Sequence, residues 1–297
     1  QGFTLRFLSN VDPVDVERCV DGLDAEETLV VVVSKTFTTA ETMLNARTMR
    51  QWLWDRMSSG EACTEVTARH MVACASDSST DRVEKFGVQP AYFFKFWDWV
   101  GGRYSVCSSA GLVPLSLKYG FPLMEQLLDG ANSMDRHFFS APLHKNLPVL
   151  MGLLGVWNLS FLGYKSRTML PYSEALCKFP AHVQQVDMES NGKGVTRAGR
   201  SIDYEVGEVN FGESGTNSQP SFFQLLHMGQ PVPCDFLGFV EAQNHLVHTE
   251  GEELSSHDEL MANFFAQPDA LALGRTAEQL LAVDPGIDTE VLPHRIF

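Results

Sequence analysis

The chain has 297 residues, 44% hydrophobic and 20% charged, an ordinary globular balance with material for about two domains. A net charge of -15 argues against nucleic acid and against anionic membranes, whose phosphates such a field repels. A phosphorylated small molecule is still admissible if local donors capture it against that field.

Thr28–Ser34 (TLVVVVS) is a continuous valine-rich run and predicts a strand covered on both faces, as in a parallel sheet. The turn Lys35-Thr36-Phe37 leads into Thr38-Thr39-Ala40-Glu41, which has the Thr-x-x-Glu form of a capping box. Met43, Leu44, Met49, Trp52 and Leu53 then predict a helix running to Met57. His70–Ala75 predicts a second strand, followed by a polar turn, Ser76–Thr80, and a charged helical piece. Aromatic-rich Tyr92–Trp99 leads into a Gly101-Gly102 turn.

Beyond Gly111 the pattern is helical, over Leu112–Tyr119, Leu123–Phe139 and Leu147–Leu162. Asn146 to Tyr164 carries no charge, but Pro148, Asn158 and Ser160 within it point to a helix buried between other elements rather than a membrane span. Lys165–Leu170 predicts a strand closed by Pro171. Leu176, Phe179, Val183 and Val186 form a helical stripe in which Pro180 should kink or delay the helix. Val206–Phe211 and Val232–Val240 are strand candidates on either side of a helix from Gln219 to His227. Strands alternating with helices imply α/β layers around mostly parallel sheets, and the pattern shift near residues 115–125 marks the domain boundary.

Cys19, Cys63, Cys74, Cys107, Cys177 and Cys234 form no C-x-x-C pair, so reduced thiols are expected, as in the cytosol. The histidines show neither H-x-x-x-H nor H-E-x-x-H, so no metal is expected. The start at Gln1 shows no basic-then-apolar leader, so no targeting signal is read there.

Three segments carry chemistry. Ser34–Thr39 (SKTFTT) joins a strand to a helix N-terminus, where free backbone N–H groups and hydroxyls can hold an anion. From spacing alone, plain helix capping is the favoured reading, because hydroxyl-rich helix starts are common. Arg103 follows Gly101-Gly102, and alone reads as a surface arginine after a tight turn. Glu189, in QQVDMESNGK, stands near a helix end with Asn191-Gly192 as a left-handed stop, and Gln185 lies four residues earlier on the same flank. One carboxylate and one fixed cation together suit proton abstraction beside a carbonyl.

SKTFTT, DWVGGRYSVCSSAG, QQVDMESNGK, GESGTNSQPSFFQLLHMG and CDFLGFVEAQNHLV resemble successive motifs of the glucose-6-phosphate isomerase family, in its order and at about its spacing. The resemblance implies two sugar isomerase (SIS) domains, each an α-β-α sandwich with a mostly parallel sheet, assigned here to residues 1–120 and 121–297. The first would be truncated N-terminally and the second C-terminally, as in an interior fragment that leaves sheet edges unpaired. It also implies a cytosolic homodimer acting on glucose 6-phosphate and fructose 6-phosphate in glycolysis and gluconeogenesis without a cofactor. By the same resemblance Ser34, Lys35, Thr36 and Thr39 hold the phosphate, Gly102 and Arg103 line the reacting end, Gln185 touches the substrate and Glu189 is the base.

Three departures accompany the resemblance. Pro220 stands where the family has a histidine thought to open the sugar ring and to reach into the partner subunit's site. His227 lies two helical turns further on, too far to replace it, and a packing role is expected there. Gln1 falls after the family's Gly-Gly-Ser phosphate turn, and Phe297 falls before its last segment, which carries an active-site glutamine and lysine. Pro220 also admits a second reading, a sugar phosphate-binding protein that has lost turnover.

Overall fold

The computed structural model describes residues 3–57, 62–242 and 254–286. Residues 243–247, at the end of the CDFLGFVEAQNHLV motif, lie outside the described residues, as do Gln1 and Phe297. The chain divides into two compact units, Gln1–Ala141 and Pro142–Phe297.

The first unit runs α1 (Pro13–Val20), β1 (Val30–Val33), α2 (Ala40–Met57), α3 (Ala62–His70), β2 (Met71–Ser76), α4 (Thr80–Phe86), β3 (Phe93–Phe96), α5 (Ser109–Tyr119) and α6 (Phe121–Ser140). Its sheet has the order β1-β2-β3, all parallel. Each of the six residues of β2 is buried, which explains why Met71–Ser76 reads as an uninterrupted apolar and small-residue run. β1 was expected to be covered on both faces. Among the described residues it pairs with β2 alone, and Val33 is 38% exposed while Val32 is buried.

α2 lies on this sheet through Met43, Ala46, Met49 and Leu53, which join Val32, Met71, Ala73, Val83 and Val88 in one cluster. Full burial of one such side chain contributes about 2 kcal/mol. Leu44, read as part of the stripe, is exposed; Asn45 takes the buried position and donates to Asn10 O at 2.9 Å. The helix begins at Ala40, so Thr38 cannot be its N-cap as the Thr38–Glu41 box required. Thr38 Oγ1 instead pairs with Thr36 Oγ1 at 2.7 Å. α5 and α6 pack on each other, and both lie in the unit that ends at Ala141. β3, α1 and α3 were not anticipated; Phe-Phe-Lys-Phe shows little apolar-polar alternation, and only its pairing with β2 identifies it as a strand.

The second unit contains α7 (Leu147–Val156), β4 (Ser166–Pro171), α8 (Phe179–Asn191), β5 (Val209–Gly212), α9 (Ser218–Met228), β6 (Cys234–Leu237), α10 (Ser256–Leu273) and α11 (Ala277–Val283). Its parallel sheet has the order β5-β4-β6. Leu170, Tyr172, Phe223 and Leu226 form the core. α7 corrects an expectation. It is not buried between other elements: Leu147, Met151, Leu153 and Leu154 are exposed, and after Val156 the helix widens into a π-turn over Trp157–Phe161. Among the described residues no helix is long and apolar enough to cross a membrane. α8 starts one residue before Pro180, in whose first-turn position no intrahelical N–H is needed, so the proline delays the helix without kinking it.

Arg167 on β4 ties this sheet together, pairing with Asp235 on β6 and with Glu208, just before β5, at 3.3 Å. Glu208 is 7% exposed, and its Oε2 has no hydrogen-bond partner among the described residues. Burial pushes its carboxyl above the usual range, Arg167 opposes that, and Asp187 and Asp235 add to it. Arg167→Met should therefore cost about 3 kcal/mol at neutral pH, since it strands a buried carboxylate. Only the ionised form is penalised, and without Arg167 the folded carboxyl climbs further above its unfolded value. The deficit should then shrink as pH falls through the carboxylate range, which urea unfolding at about pH 8 and about pH 5 would measure.

Candidate active site

In a parallel sheet the segments that leave the strands all start from one edge, so the loops after β1, β2 and β3 share the carboxyl edge of the first unit. The loop after β1 is the Ser34–Thr39 turn. Its Ser34 N–H donates to Cys74 O at 3.0 Å, extending the ladder, and Phe37 N–H returns to Ser34 O at 3.2 Å, closing the turn. Phe37 is buried and packs edge-on against Phe86 with ring centroids 5.6 Å apart. That anchor holds Phe37 at φ +52°, a left-handed conformation which a phenylalanine adopts only when its surroundings compel it.

Ser34 is buried, Lys35 half-buried, and Thr36 and Thr39 exposed; Ser34 Oγ reaches Thr39 Oγ1 at 3.5 Å. Among the described residues, the backbone N–H groups of Lys35, Thr36, Thr38 and Thr39 donate to no protein acceptor. The turn thus presents hydroxyls and unused N–H donors at the start of an 18-residue helix, as an anion site requires.

Gly102 and Arg103 leave from the same edge, after β3. The expected tight Gly-Gly turn is in fact the start of a 3₁₀ helix, Gly102–Cys107, and Gly101 has an ordinary φ of -77°. Ser105 Oγ donates to Gly102 O at 2.7 Å, and Tyr104 N–H donates to Gly101 O at 3.0 Å. A Cβ at Gly101 or Gly102 would meet nothing within 4 Å. Neither strain nor packing demands glycine there, so the open space beside Arg103 calls for another explanation.

Gln185 and Glu189 belong to the second unit, exposed on one flank of α8, while Val183 and Val186 turn inward. α8 is fastened to β5 through buried Asn210: Gln184 Nε2 donates to Asn210 O at 3.0 Å, and Asn210 Nδ2 donates to Asp187. Lys193 Nζ closes the helix end on Glu189 O. The stop at Gly192 is not left-handed, having φ -71°. A Cβ there would lie 2.5 Å from Met188 O, so close approach, and not backbone handedness, selects glycine.

Pro220 stands in the first turn of α9, exposed, where its missing N–H leaves no helical bond unmade. Its neighbour Gln219 donates to Tyr172 Oη and Asn263 Oδ1, both at 3.1 Å. His227 lies against Phe223 and pairs with Gln267 at 3.0 Å, the packing position expected of it. α8 returns to the start of β5, whereas α9 leaves from its end. The segments that carry Glu189 and Pro220 are therefore attached at opposite ends of β5.

The sequence matches the family described as Phosphoglucose isomerase over residues 1–297. The chain belongs to that family. It is 57% identical over 297 residues to cytosolic glucose-6-phosphate isomerases of Arabidopsis thaliana and Spinacia oleracea, covering 100% of this chain and 51% of each relative. The chain spans about half the length of the curated relatives it matches. A glucose-6-phosphate isomerase structure from Chlamydia trachomatis superposes with a TM-score of 0.83 at 39% identity, covering 91% of this chain and 50% of that one. A hypothetical protein from Thermus thermophilus gives a TM-score of 0.74 at 27% identity over 90% of this chain and 63% of that one. The expected α/β architecture with parallel sheets is the architecture of these phosphoglucose isomerase relatives.

The residues that fix the candidate site residues in place, Asn210 with Asp187 in the second unit and Ser79 with Arg82 in the first, were not singled out from sequence. Ser79 Oγ donates to Lys35 O and Arg82 Nε donates to Thr36 O, with Ser79 at the N-cap of α4 and Arg82 in its first turn. Asn210→Ala should cost about 1–3 kcal/mol by withdrawing a buried donor from Asp187. It should also speed amide exchange in the last turns of α8 while leaving α2 and α5 unchanged. Hydrogen-exchange mass spectrometry reads both regions in one experiment.

Proposed function

We propose that the full-length protein interconverts glucose 6-phosphate and fructose 6-phosphate in the cytosol, the compartment named for its plant relatives. Residues 1–120 and 121–297 are assigned to two SIS domains of a homodimer. The observation that carries the reading is the Ser34–Thr39 turn, a strand-to-helix anion site with unused N–H donors in a chain of net charge -15. Such a chain has no use for exposed anion donors unless a specific anion fills them. The open space beside Gly102, unexplained by backbone or packing, supports a ligand at Arg103.

In this mechanism Ser34, Lys35, Thr36 and Thr39 grip the phosphate, leaving the sugar carbons free to react. Glu189 takes the proton from carbon 2 of the open-chain aldose, and the electron pair of that C–H bond forms the carbon 1–carbon 2 double bond of a cis-enediolate. The carbonyl oxygen gains charge, which the Arg103 guanidinium stabilises. A proton then passes from oxygen 2 to oxygen 1, which moves the charge to oxygen 2; Glu189 returns its proton to carbon 1 as the carbonyl reforms at carbon 2, and Gln185 holds the substrate in register. Nothing is oxidised or reduced overall, so the chemistry calls for no redox cofactor.

Ring opening is a separate step, and Pro220 offers it no acid or base. The opposite ends of β5 support the view that position 220 does not serve the Glu189 of its own chain. That fits the family expectation of a residue reaching into the partner subunit's site. A binding protein without turnover is the second reading, favoured by Pro220 alone.

Two outcomes are expected. Glu189→Gln should lower kcat by about 10³-fold or more, with hexose phosphate still binding, because it removes the only group assigned to move the proton. In deuterium oxide the unaltered full-length protein should place deuterium at carbon 2 of glucose 6-phosphate; a protein that incorporates none is a binder, not an isomerase. Pro220→His should raise turnover on cyclic sugar by about 10-fold or more, as restoring one acid–base group warrants, and leave deuterium exchange of open-chain substrate unchanged. Coupled assays of the two variants measure these effects.

A further inference from the structure

An anion-binding turn needs its carbonyl oxygens held away from the ligand as firmly as its N–H groups are aimed at it. In a trans peptide the two point in opposite directions, so fixing a carbonyl orients the next residue's N–H. The carbonyls of the Ser34–Thr39 turn are held by residues of the loop after β2 and of α4. Lys35 O accepts from Ser76 N–H at 2.9 Å and from the hydroxyl of fully buried Ser79 at 3.0 Å. Thr36 O accepts from Arg82 Nε at 2.8 Å.

Arg82 also reaches Ser78 O and Ser79 Oγ with Nη2, each at 3.2 Å, so its guanidinium plane is fixed at three points. All three acceptors are neutral. Among the described residues no carboxylate pairs with Arg82, in a chain with 37 acidic and 22 basic side chains. A guanidinium held by carbonyl and hydroxyl oxygens, and left unneutralised within an acidic chain, has charge available to an anion.

We propose that Arg82 is a positioning residue of the phosphate-binding turn. It locks the Thr36–Phe37 peptide so that Phe37 N–H stays on Ser34 O, and its unneutralised charge adds to the field that draws the phosphate in. This inference rests on the reading that the turn binds the phosphate of a hexose phosphate. The planar fork is essential to it: Arg82 uses two nitrogens held in one plane, Nε on Thr36 O and Nη2 on Ser78 and Ser79, whereas a lysine retains the charge on a single nitrogen at the end of a flexible stem.

The test uses the full-length protein with Arg82→Gln and Arg82→Lys, with inorganic phosphate as a competitive probe. One charge-assisted hydrogen bond corresponds to roughly a 10- to 100-fold effect. Arg82→Gln should therefore raise both KM for hexose phosphate and Ki for inorganic phosphate by about that factor, with kcat within about twofold of the parent. Arg82→Lys should recover only part of that loss, and its phosphate affinity should fall more steeply with salt than that of Arg82→Gln. Unchanged KM and Ki in Arg82→Gln overturn the proposal, as does full recovery by lysine, which would leave charge without positioning. A loss shared equally by kcat, thermal midpoint and phosphate affinity also overturns it, since it marks a merely structural side chain. A parent that neither turns over hexose phosphate nor is inhibited by inorganic phosphate overturns instead the functional reading beneath it.

Discussion

β2 is the strand from which the geometry of the first unit follows. Its six buried residues pair with β1 on one side and β3 on the other, and the ends of those neighbours carry the anion turn and the Gly102–Arg103 segment. The same strand continues into the site: Cys74 O receives Ser34 N–H, and Ser76 N–H, at its last residue, holds Lys35 O. Because a buried backbone group must be paired, the ladder of a dry strand cannot slip without exposing those groups. The Ser34–Thr39 turn is thereby tied to a buried strand.

Charge adds a second constraint. With 37 acidic against 22 basic side chains, the chain repels phosphates at long range, so in the proposed reading capture depends on short-range donors of the Ser34–Thr39 turn: its backbone N–H groups, its hydroxyls and Lys35. Such donors act within a Debye length and distinguish a phosphate that fits the turn from polyanions that do not. In the second unit the same net charge is managed differently. Arg167 neutralises Asp235 and Glu208 across the sheet, so that cation serves folding instead of ligand.

α8 and α9 illustrate how topology separates segments that are near in sequence. α8 ends before the amino end of β5 and α9 begins beyond its carboxyl end, so Glu189 and position 220 belong to segments at opposite ends of that strand. A proline is tolerated at 220 for a local reason: the first turn of a helix has no use for that N–H. The helix is therefore compatible with proline at this position.

Pattern in the sequence specified β1, β2, α2, α4, α5, α6, β4, α8, β5, α9, β6 and the parallel α/β class, because buried strands and amphipathic helices leave patterns along the chain itself. The chemistry-bearing segments SKTFTT, GGR and QQVDMESNGK were legible as well, but capping, turn and surface readings led until the family motifs were added. The rest depended on contacts between residues distant in sequence. Arg82 meets Thr36 across 46 positions, Asn210 meets Asp187 across 23, and Phe37 adopts φ +52° because Phe86 and the core fix its ring. Exposure of α7 was equally invisible, since composition records how apolar a helix is and not what lies against it. A one-dimensional pattern records which side chains avoid water; which carbonyl a guanidinium holds is decided only when the chain has folded and brought the two together.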